Sequence, residues 1–296
     1  MRIAICIFLI FGFDSICLGQ SSEITLLICD QHSRTPIPYA TINLFNANKY
    51  FDSDEKGKFS VSDKTNDSMF ISSIGFKSGR FLISDYQNND TLFLKKDVVL
   101  LEEIRLSKHI SSKFGTVDIK HQRSIVGGTS LSRREVATLI EIPTNISYYR
   151  ISKIFIKSKN FNKGNPVRLH IYDVNENGLP GKELLQKEVF ITNATVKNNI
   201  ITIDVRDQAI FLENSNFFAG IQWISSHKIQ TYNGPELFET NKIKKILTYR
   251  RQLDIKSNAW FIETKKTNLL FFPGGMLSKD DSPLNVLTSA EIEIYN

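Results

Sequence analysis

The chain of 296 residues is poor in cysteine, with 3, at positions 6, 17 and 29. Cys6 and Cys17 fall in an N-terminal segment that reads as an export leader, so the remainder keeps Cys29 alone and cannot form an internal disulfide. Stability then has to come from packing rather than from covalent staples. Cys29 lies in an alternating stretch, residues 24–30, as a strand residue turned inward, where a thiol is inert. Beyond the N-terminus no run is apolar enough to cross a bilayer, which takes about 20 residues. Runs of one charge are also missing. Lys and Arg total 37 against 31 Asp and Glu, a net charge of +6, but the signs are interspersed. That excludes a nucleic-acid stripe. The excess leaves two readings, plain solubility or a mild attraction to acidic glycans and lipopolysaccharide.

Catalytic signatures are absent as well. None of the 5 histidines (His32, His109, His121, His170, His227) has a Glu three residues on, as a zinc peptidase pair would require. His170 has Asp173 there, but on an alternating strand the two point to opposite faces. No Gly-x-Ser-x-Gly elbow occurs. Gly127-Gly128-Thr129 and Gly274-Gly275 lack the Lys and Ser/Thr of a phosphate loop and read as turns. No carboxylate pair stands out as an acid/base couple. The expectation is a protein that is not an enzyme and holds no cofactor.

What is present begins with the leader. Arg2 precedes an apolar run over residues 3–13, and Cys17-Leu18-Gly19 leads into polar Gln20-Ser21-Ser22. This is a charged, apolar, small-residue order with a cut after Gly19. A retained anchor is the other reading. Ile16 before Cys17 argues against lipidation. The expected location is the periplasm or the periphery of an outer membrane.

Alternation with a period of two then dominates. Ala40, Ile42 and Leu44 share one face, with Thr41 and Asn43 on the other. Val167, Leu169 and Ile171 oppose Arg168, His170 and Tyr172. Ile201, Ile203 and Val205 repeat the pattern, as do Ala290, Ile292 and Ile294. These are half-buried strands, and the Asn, Asp, Gly and Ser clusters between them predict sandwiches rather than βαβ units. Residues 132–140 fit either a helical spacing or a strand start. Residues 107–124, rich in Ser, Lys and His, predict a linker. Residues 225–245, with Asn233-Gly234-Pro235, predict a long loop. The organisation expected is a signal peptide over 1–19, a first β-sandwich over 23–106, a linker over 107–124 and a second β-sandwich over 125–296, an all-β chain throughout.

Thr35-Pro36-Ile37-Pro38-Tyr39-Ala40, Asp54-Glu55-Lys56-Gly57-Lys58-Phe59, Ser72-Ser73-Ile74-Gly75-Phe76 and Leu100-Leu101-Glu102-Glu103-Ile104 occur in that order. On these motifs residues 23–106 resemble the carboxypeptidase regulatory-like domain of secreted and outer-membrane proteins of Bacteroidetes-type bacteria; Phe76 stands where that family more often has Tyr. The resemblance implies a prealbumin-like seven-stranded sandwich. The residues agree with it: Pro36 and Pro38 suit an extended strand entry, Gly57 a turn with φ > 0, and Phe59 and Val61 a core. The second half is similar to jelly-roll, galactose-binding-like sandwiches through Arg168-Leu169-His170-Ile171-Tyr172-Asp173, Gly178-Leu179-Pro180 and Phe217-Phe218-Ala219-Gly220-Ile221-Gln222-Trp223.

Two constellations are candidate sites. Asp173, Asn175 and Asn177, followed by Gly178, fit the first half of a Ca2+ loop. The twelfth position is Leu184 rather than a bidentate Glu, so a polar hairpin is the competing reading; Lys56 weighs more heavily against the similar run from Asp52. Among aromatics, which stack on apolar sugar faces, Trp223, Trp260 and Tyr172 join a possible platform, but both tryptophans fit core positions. Tyr232 and Phe238, in the expected loop, are the candidate ligand contacts. Three functions compete: a secreted, non-catalytic cell-envelope binding or adhesion module for a glycan or an envelope protein; a structural accessory subunit of an outer-membrane, TonB-dependent-type transport or envelope complex; and a hydrolase, which would show clustered titratable groups with perturbed pKa values in a cleft.

Overall fold

A computed structural model of the chain describes residues 23–295 except 48, 63–66, 98–108, 121–122, 127–133, 160–165, 192–194, 225–235, 241, 244, 246, 253–259, 263–269 and 272–284. The leader, Leu100-Leu101-Glu102-Glu103-Ile104 and Tyr232 lie outside the described residues. Among the described residues there is no α-helix, only two short 3₁₀ turns at Ile83–Asp85 and Arg206–Gln208. The fold is all-β, as the alternation predicts.

Among the described residues the smaller lobe has seven strands: β1 (Glu23–Asp30), β2 (Thr41–Leu44), β3 (Lys49–Asp52), β4 (Lys58–Ser62), β5 (Ser68–Ser72), β6 (Gly79–Leu82) and β7 (Thr91–Leu94). They form two sheets, in the orders β4-β1-β7 and β3-β2-β5-β6. Strand β1 runs antiparallel to β4 but parallel to β7. Leu26, Ile28, Ile42, Phe59, Val61, Met69, Ile71 and Leu92 close one core between the sheets. Cys29, next to Ile28 in β1, is buried as a free thiol. The turn before β4 is built by Asp54, whose Oδ1 accepts the amides of Lys56 (2.9 Å) and Lys58 (2.8 Å).

The larger lobe holds β8 (His109–Gly115), β9 (Arg123–Val126), β10 (Arg134–Ile140), β11 (Tyr148–Lys159), β12 (Val167–Val174), β13 (Pro180–Glu183), β14 (Phe190–Ile191), β15 (Thr195–Lys197), β16 (Ile200–Asp204), β17 (Phe211–Glu213), β18 (Phe217–Trp223), β19 (Glu236–Thr240), β20 (Thr248–Gln252), β21 (Phe261–Ile262), β22 (Leu270–Phe271), β23 (Asn285–Val286) and β24 (Thr288–Tyr295). One sheet follows β13-β12-β18-β10-β20-β21-β22, with β14 on β12; the other follows β15-β16-β11-β19-β23, with β17 and β24 on β11, β8 on β24 and β9 on β19. Between them Leu169, Ile171, Ile221 and Trp223 meet Tyr149, Ile151, Ile154, Ile156 and Ile292. Strand β11 switches its inward positions from odd to even numbers because the register shifts between Ile151 and Lys153. Such a bulge keeps one face apolar where strict alternation would turn it to water.

Two expectations change, and one open reading is decided. Residues 109–115, read as linker, are β8, paired along β24 from His109–Tyr295 to Gly115–Ser289. Its polar composition is that of an exposed edge strand. Within residues 132–140, which fit either a helical spacing or a strand start, Arg134–Ile140 form strand β10. Part of the expected long loop is β19, antiparallel to β9 and β23.

Gly57 has φ +72°, and a Cβ there would meet the carbonyl oxygens of Ile28 at 2.8 Å and Ile37 at 2.9 Å. We expect Gly57→Ala to cost about 1–3 kcal/mol for the left-handed backbone, more if the β3–β4 turn cannot yield, measured by urea denaturation. An unchanged midpoint would remove this account of the turn.

Candidate functional site

The two lobes meet along β12 and its hairpin. Because side chains alternate along a strand, Val167, Leu169 and Ile171 enter the larger core while Arg168, His170 and Tyr172 face the smaller lobe, and all six are buried. Pairing extends this outer face into a row: Arg168 lies opposite Gln222, Gln222 opposite Glu135, and Glu135 opposite Arg251. Four strands thus present two guanidiniums, an amide and a carboxylate at one level.

Each charge in this row is matched. Arg168 Nε lies 2.7 Å from Glu188 Oε2, its Nη1 donates to Gln222 Oε1 (2.7 Å) and Thr41 Oγ1 (3.4 Å), and its Nη2 donates to the Tyr39 carbonyl. Glu188 Oε1 in turn accepts the Ile74 amide (2.9 Å) and the Ser73 hydroxyl (3.1 Å). One ion pair of the larger lobe therefore holds two backbone segments of the smaller. Gly75 (φ +84°) comes so close to this hairpin that a Cβ would lie 2.3 Å from the Gln186 carbonyl oxygen. Tyr39 packs edge-on against Phe190 at 5.0 Å.

Next to this pair, His170 Nδ1 is 2.5 Å from Glu183 Oε2 and Nε2 is 3.0 Å from Gln222 Oε1. That amide oxygen already accepts from Arg168, so Nε2 must carry a hydrogen. Nδ1 faces a carboxylate and must carry one too. His170 is thus an imidazolium. Burial alone would lower its pKa, but the carboxylates of Glu135 and Glu183 outweigh burial and raise it. Glu183 also accepts the amides of Ile171 (3.0 Å) and Leu185 (3.2 Å) through Oε1. The Tyr172 hydroxyl donates to Glu135 Oε1 at 2.5 Å, and Arg251 reaches Glu135 Oε2. Burial would raise the Glu135 carboxyl; the charges of Arg251 and His170 hold it below its ordinary range. Burial and Glu135 together push the Tyr172 phenol well up. Arg251 lies over the Trp260 ring at 4.6 Å.

Across from this floor stands the outer face of the sheet β3-β2-β5-β6. Tyr50 lies opposite Asn43, Asn43 opposite Phe70, and Phe70 opposite Arg80. Asn43 Nδ2 donates to the Tyr50 hydroxyl oxygen (2.8 Å), which keeps the Tyr50 hydrogen for another acceptor. Phe45 and Phe70 are 47% and 37% exposed. Between the walls runs a cleft of about 620 Å³, lined by Asn43, Phe45, Tyr50, Phe70, Phe76 and Asp97 on one side and by His170, Lys182, Glu183 and Leu185 on the other, with Arg168, Gln222 and Arg251 at its floor. The size suits a small ligand.

The residues singled out in the sequence stand elsewhere. Asp173, Asn175 and Asn177 belong to the β12–β13 hairpin. Asp173 Oδ1 accepts the Lys182 amide (2.6 Å) and Asn175 Oδ1 accepts those of Asn177 (2.9 Å) and Leu179 (3.0 Å), so these oxygens cap a turn, and Gly178 takes φ +73°. Among the described residues no group of three His, Cys, Asp or Glu is placed to hold a metal ion. Phe238 corrects the expectation of an exposed contact: it is in β19 and 7% exposed, because that stretch pairs into the sheet rather than looping out. Trp223 and Trp260 are buried, as their apolar neighbours suggest. The wall of Tyr50, Asn43 and Phe70 was missed. Its alternation with Phe51, Ile42 and Ile71 was visible, but which strands lie side by side was not.

No family model matches the chain, and no curated protein does. Two solved structures are similar at low level. One is named "putative carbohydrate binding protein from Bacteroides uniformis ATCC 8492", with 8% identity, 91% of this chain and 99% of that chain covered, and a TM-score of 0.23. The other is the major pilin subunit BcpA*(D312A) of Bacillus cereus, with 10% identity, 89% and 68% covered, and a TM-score of 0.19. Scores this low carry no weight for either fold or function.

Removing the Glu188 carboxylate strands a buried guanidinium, so Glu188→Ala should cost about 3–5 kcal/mol, read from the midpoint of chemical denaturation; a loss under about 1 kcal/mol, the worth of a surface pair, would show that the interlobe pair is solvated.

His170 has a second consequence. Its folded pKa is raised, so its contribution is complete below the unfolded value of about 6.5 and is lost as pH rises through the folded value. Thermal melts should show stability falling with pH above the ordinary histidine range. His170→Asn should flatten that slope; an unchanged slope would assign it to another group.

Proposed function

We propose that the chain is a non-catalytic binding module of the cell envelope, and that it holds a glycan in the cleft between its lobes. The observation that carries this reading is the row Tyr50–Asn43–Phe70 facing His170, Lys182 and Glu183 across about 620 Å³. Aromatic rings left open to solvent offer flat apolar surfaces for the C–H faces of sugar rings. Asn43, the Tyr50 hydroxyl, Asp97 and Lys182 supply donors and acceptors at their edges. The N-terminal leader and the resemblance of residues 23–106 to carboxypeptidase regulatory-like domains support export and an envelope location. The smaller lobe then supplies the aromatic wall and the larger lobe the polar one.

A cleft with perturbed titratable groups is also what a hydrolase would show. The chemistry of the floor favours binding. Glu135, Glu183 and Glu188 are each paired with a cation and each accept from at least one further donor. His170 donates from both ring nitrogens and has no lone pair to act as a base. Groups so saturated hold shape and move no proton.

The test is binding on a glycan array followed by calorimetry. Phe70→Ala removes an exposed ring and should weaken binding about tenfold or more, roughly 1.4 kcal/mol, with the melting temperature unchanged. Absence of any glycan ligand, or full affinity in Phe70→Ala, would sink the proposal. Hydrolysis of a bound glycan would replace it with the enzymatic reading.

A further inference from the structure

Resting on the glycan reading, we infer that the cleft selects uncharged oligosaccharides, against the direction that the chain's net charge of +6 would suggest. The argument is the charge balance of the cleft itself. Its floor and wall bring Arg168, His170 and Arg251 inward, and each meets its own carboxylate: Glu188 at 2.7 Å, Glu183 at 2.5 Å and Glu135 at 2.7 Å. The remaining charged groups lining the cleft are Lys182 and Asp97, which are of opposite sign. The sum over these groups is zero.

A uronate or sulfate entering this space would meet no uncommitted buried cation. To pair with Arg168 it would have to displace Glu188, which also holds the Ile74 amide and the Ser73 hydroxyl. To pair with His170 it would have to displace Glu183, which also holds two amides. Either exchange leaves a buried carboxylate without its partner, the costly outcome for a charge out of water. Arg80 is not among the residues lining the cleft, and its guanidinium lies over the Phe45 ring at 4.6 Å. A neutral sugar asks for none of these exchanges. Its ring faces lie on Tyr50 and Phe70, and its hydroxyls need only donors and acceptors. Electrostatic attraction from the excess Lys and Arg elsewhere is screened over about 8–10 Å in ordinary salt and is not focused on the cleft.

The test uses the full chain and an array carrying each oligosaccharide backbone in two forms, one with uronic acid residues and one with those residues reduced to the neutral hexose. The neutral form should bind, and its acidic counterpart at least about tenfold more weakly. Affinity for the neutral form should stay flat as ionic strength rises from about 0.1 to about 1 M. Tighter binding of the acidic form that decays steeply with salt would overturn the inference and leave the glycan reading standing. Binding of neither form, with wild type and Phe70→Ala indistinguishable, would overturn both.

Discussion

The Arg168–Glu188 pair is the constraint on which the molecule's arrangement turns. The guanidinium reaches the Tyr39 carbonyl and the Thr41 hydroxyl at the entry to one strand of the smaller lobe, and the carboxylate takes the Ile74 amide after another. A buried ion pair is a poor source of net stability, since desolvation offsets most of its attraction. Its value here is directional. The fork of Arg168 donates and Glu188 Oε1 accepts at set angles, so the lobes dock in one orientation, and Gly75 against Gln186 permits no closer alternative. The cleft is the space that this orientation leaves between two sheet faces.

Both walls come from the same rule. A strand with a period of two offers one face to its own core and the other to whatever lies outside. In β12 the outward face is Arg168, His170 and Tyr172; in β2 it is Thr41 and Asn43. Antiparallel pairing then lines up outward residues of neighbouring strands into rows. The alternation was legible in the sequence, and with it the all-β class, the inward positions of Phe59, Val61, Leu169 and Ile292, the turn at Gly57 and the burial of Cys29 and both tryptophans. The rows were not legible, because they depend on which distant segments lie side by side: Arg168 and Arg251 are neighbours only through β18 and β10. The same limit explains β8. An edge strand that shows most of its side chains to water carries the composition of a linker, and only its partner β24 distinguishes the two. The same holds for Phe238: Asn233-Gly234-Pro235 beside it carries the composition of a loop, whereas pairing with distant strands draws Glu236–Thr240 into the sheet.

The floor of the cleft gathers titratable residues whose polar atoms are engaged with one another. Tyr172 and His170 stack at 5.3 Å, with the carboxylates of Glu135 and Glu183 beside them, a grouping that would suit acid–base chemistry if any member had an open site. Each is instead consumed by its neighbours. The charges cancel locally, and the cleft between the lobes becomes a polar but electrically quiet surface set against exposed rings.

The parallel alignment of β1 with β7 constrains how the smaller lobe can assemble. Its first and last strands are neighbours, with Leu27 beside Thr91 and Asp30 beside Leu94. A chain delivered from its N-terminus therefore has β1 waiting with one flank unpaired until some sixty residues have followed. Closing so distant a contact is slow compared with forming hairpins. The two-stranded β1–β4 ribbon, the β2–β3 hairpin and the β2–β5 pairing can form earlier, but the three-stranded sheet is complete only when Leu94 emerges, so during synthesis this lobe stays open and vulnerable along the edge of Leu27–Asp30 until its final strand arrives.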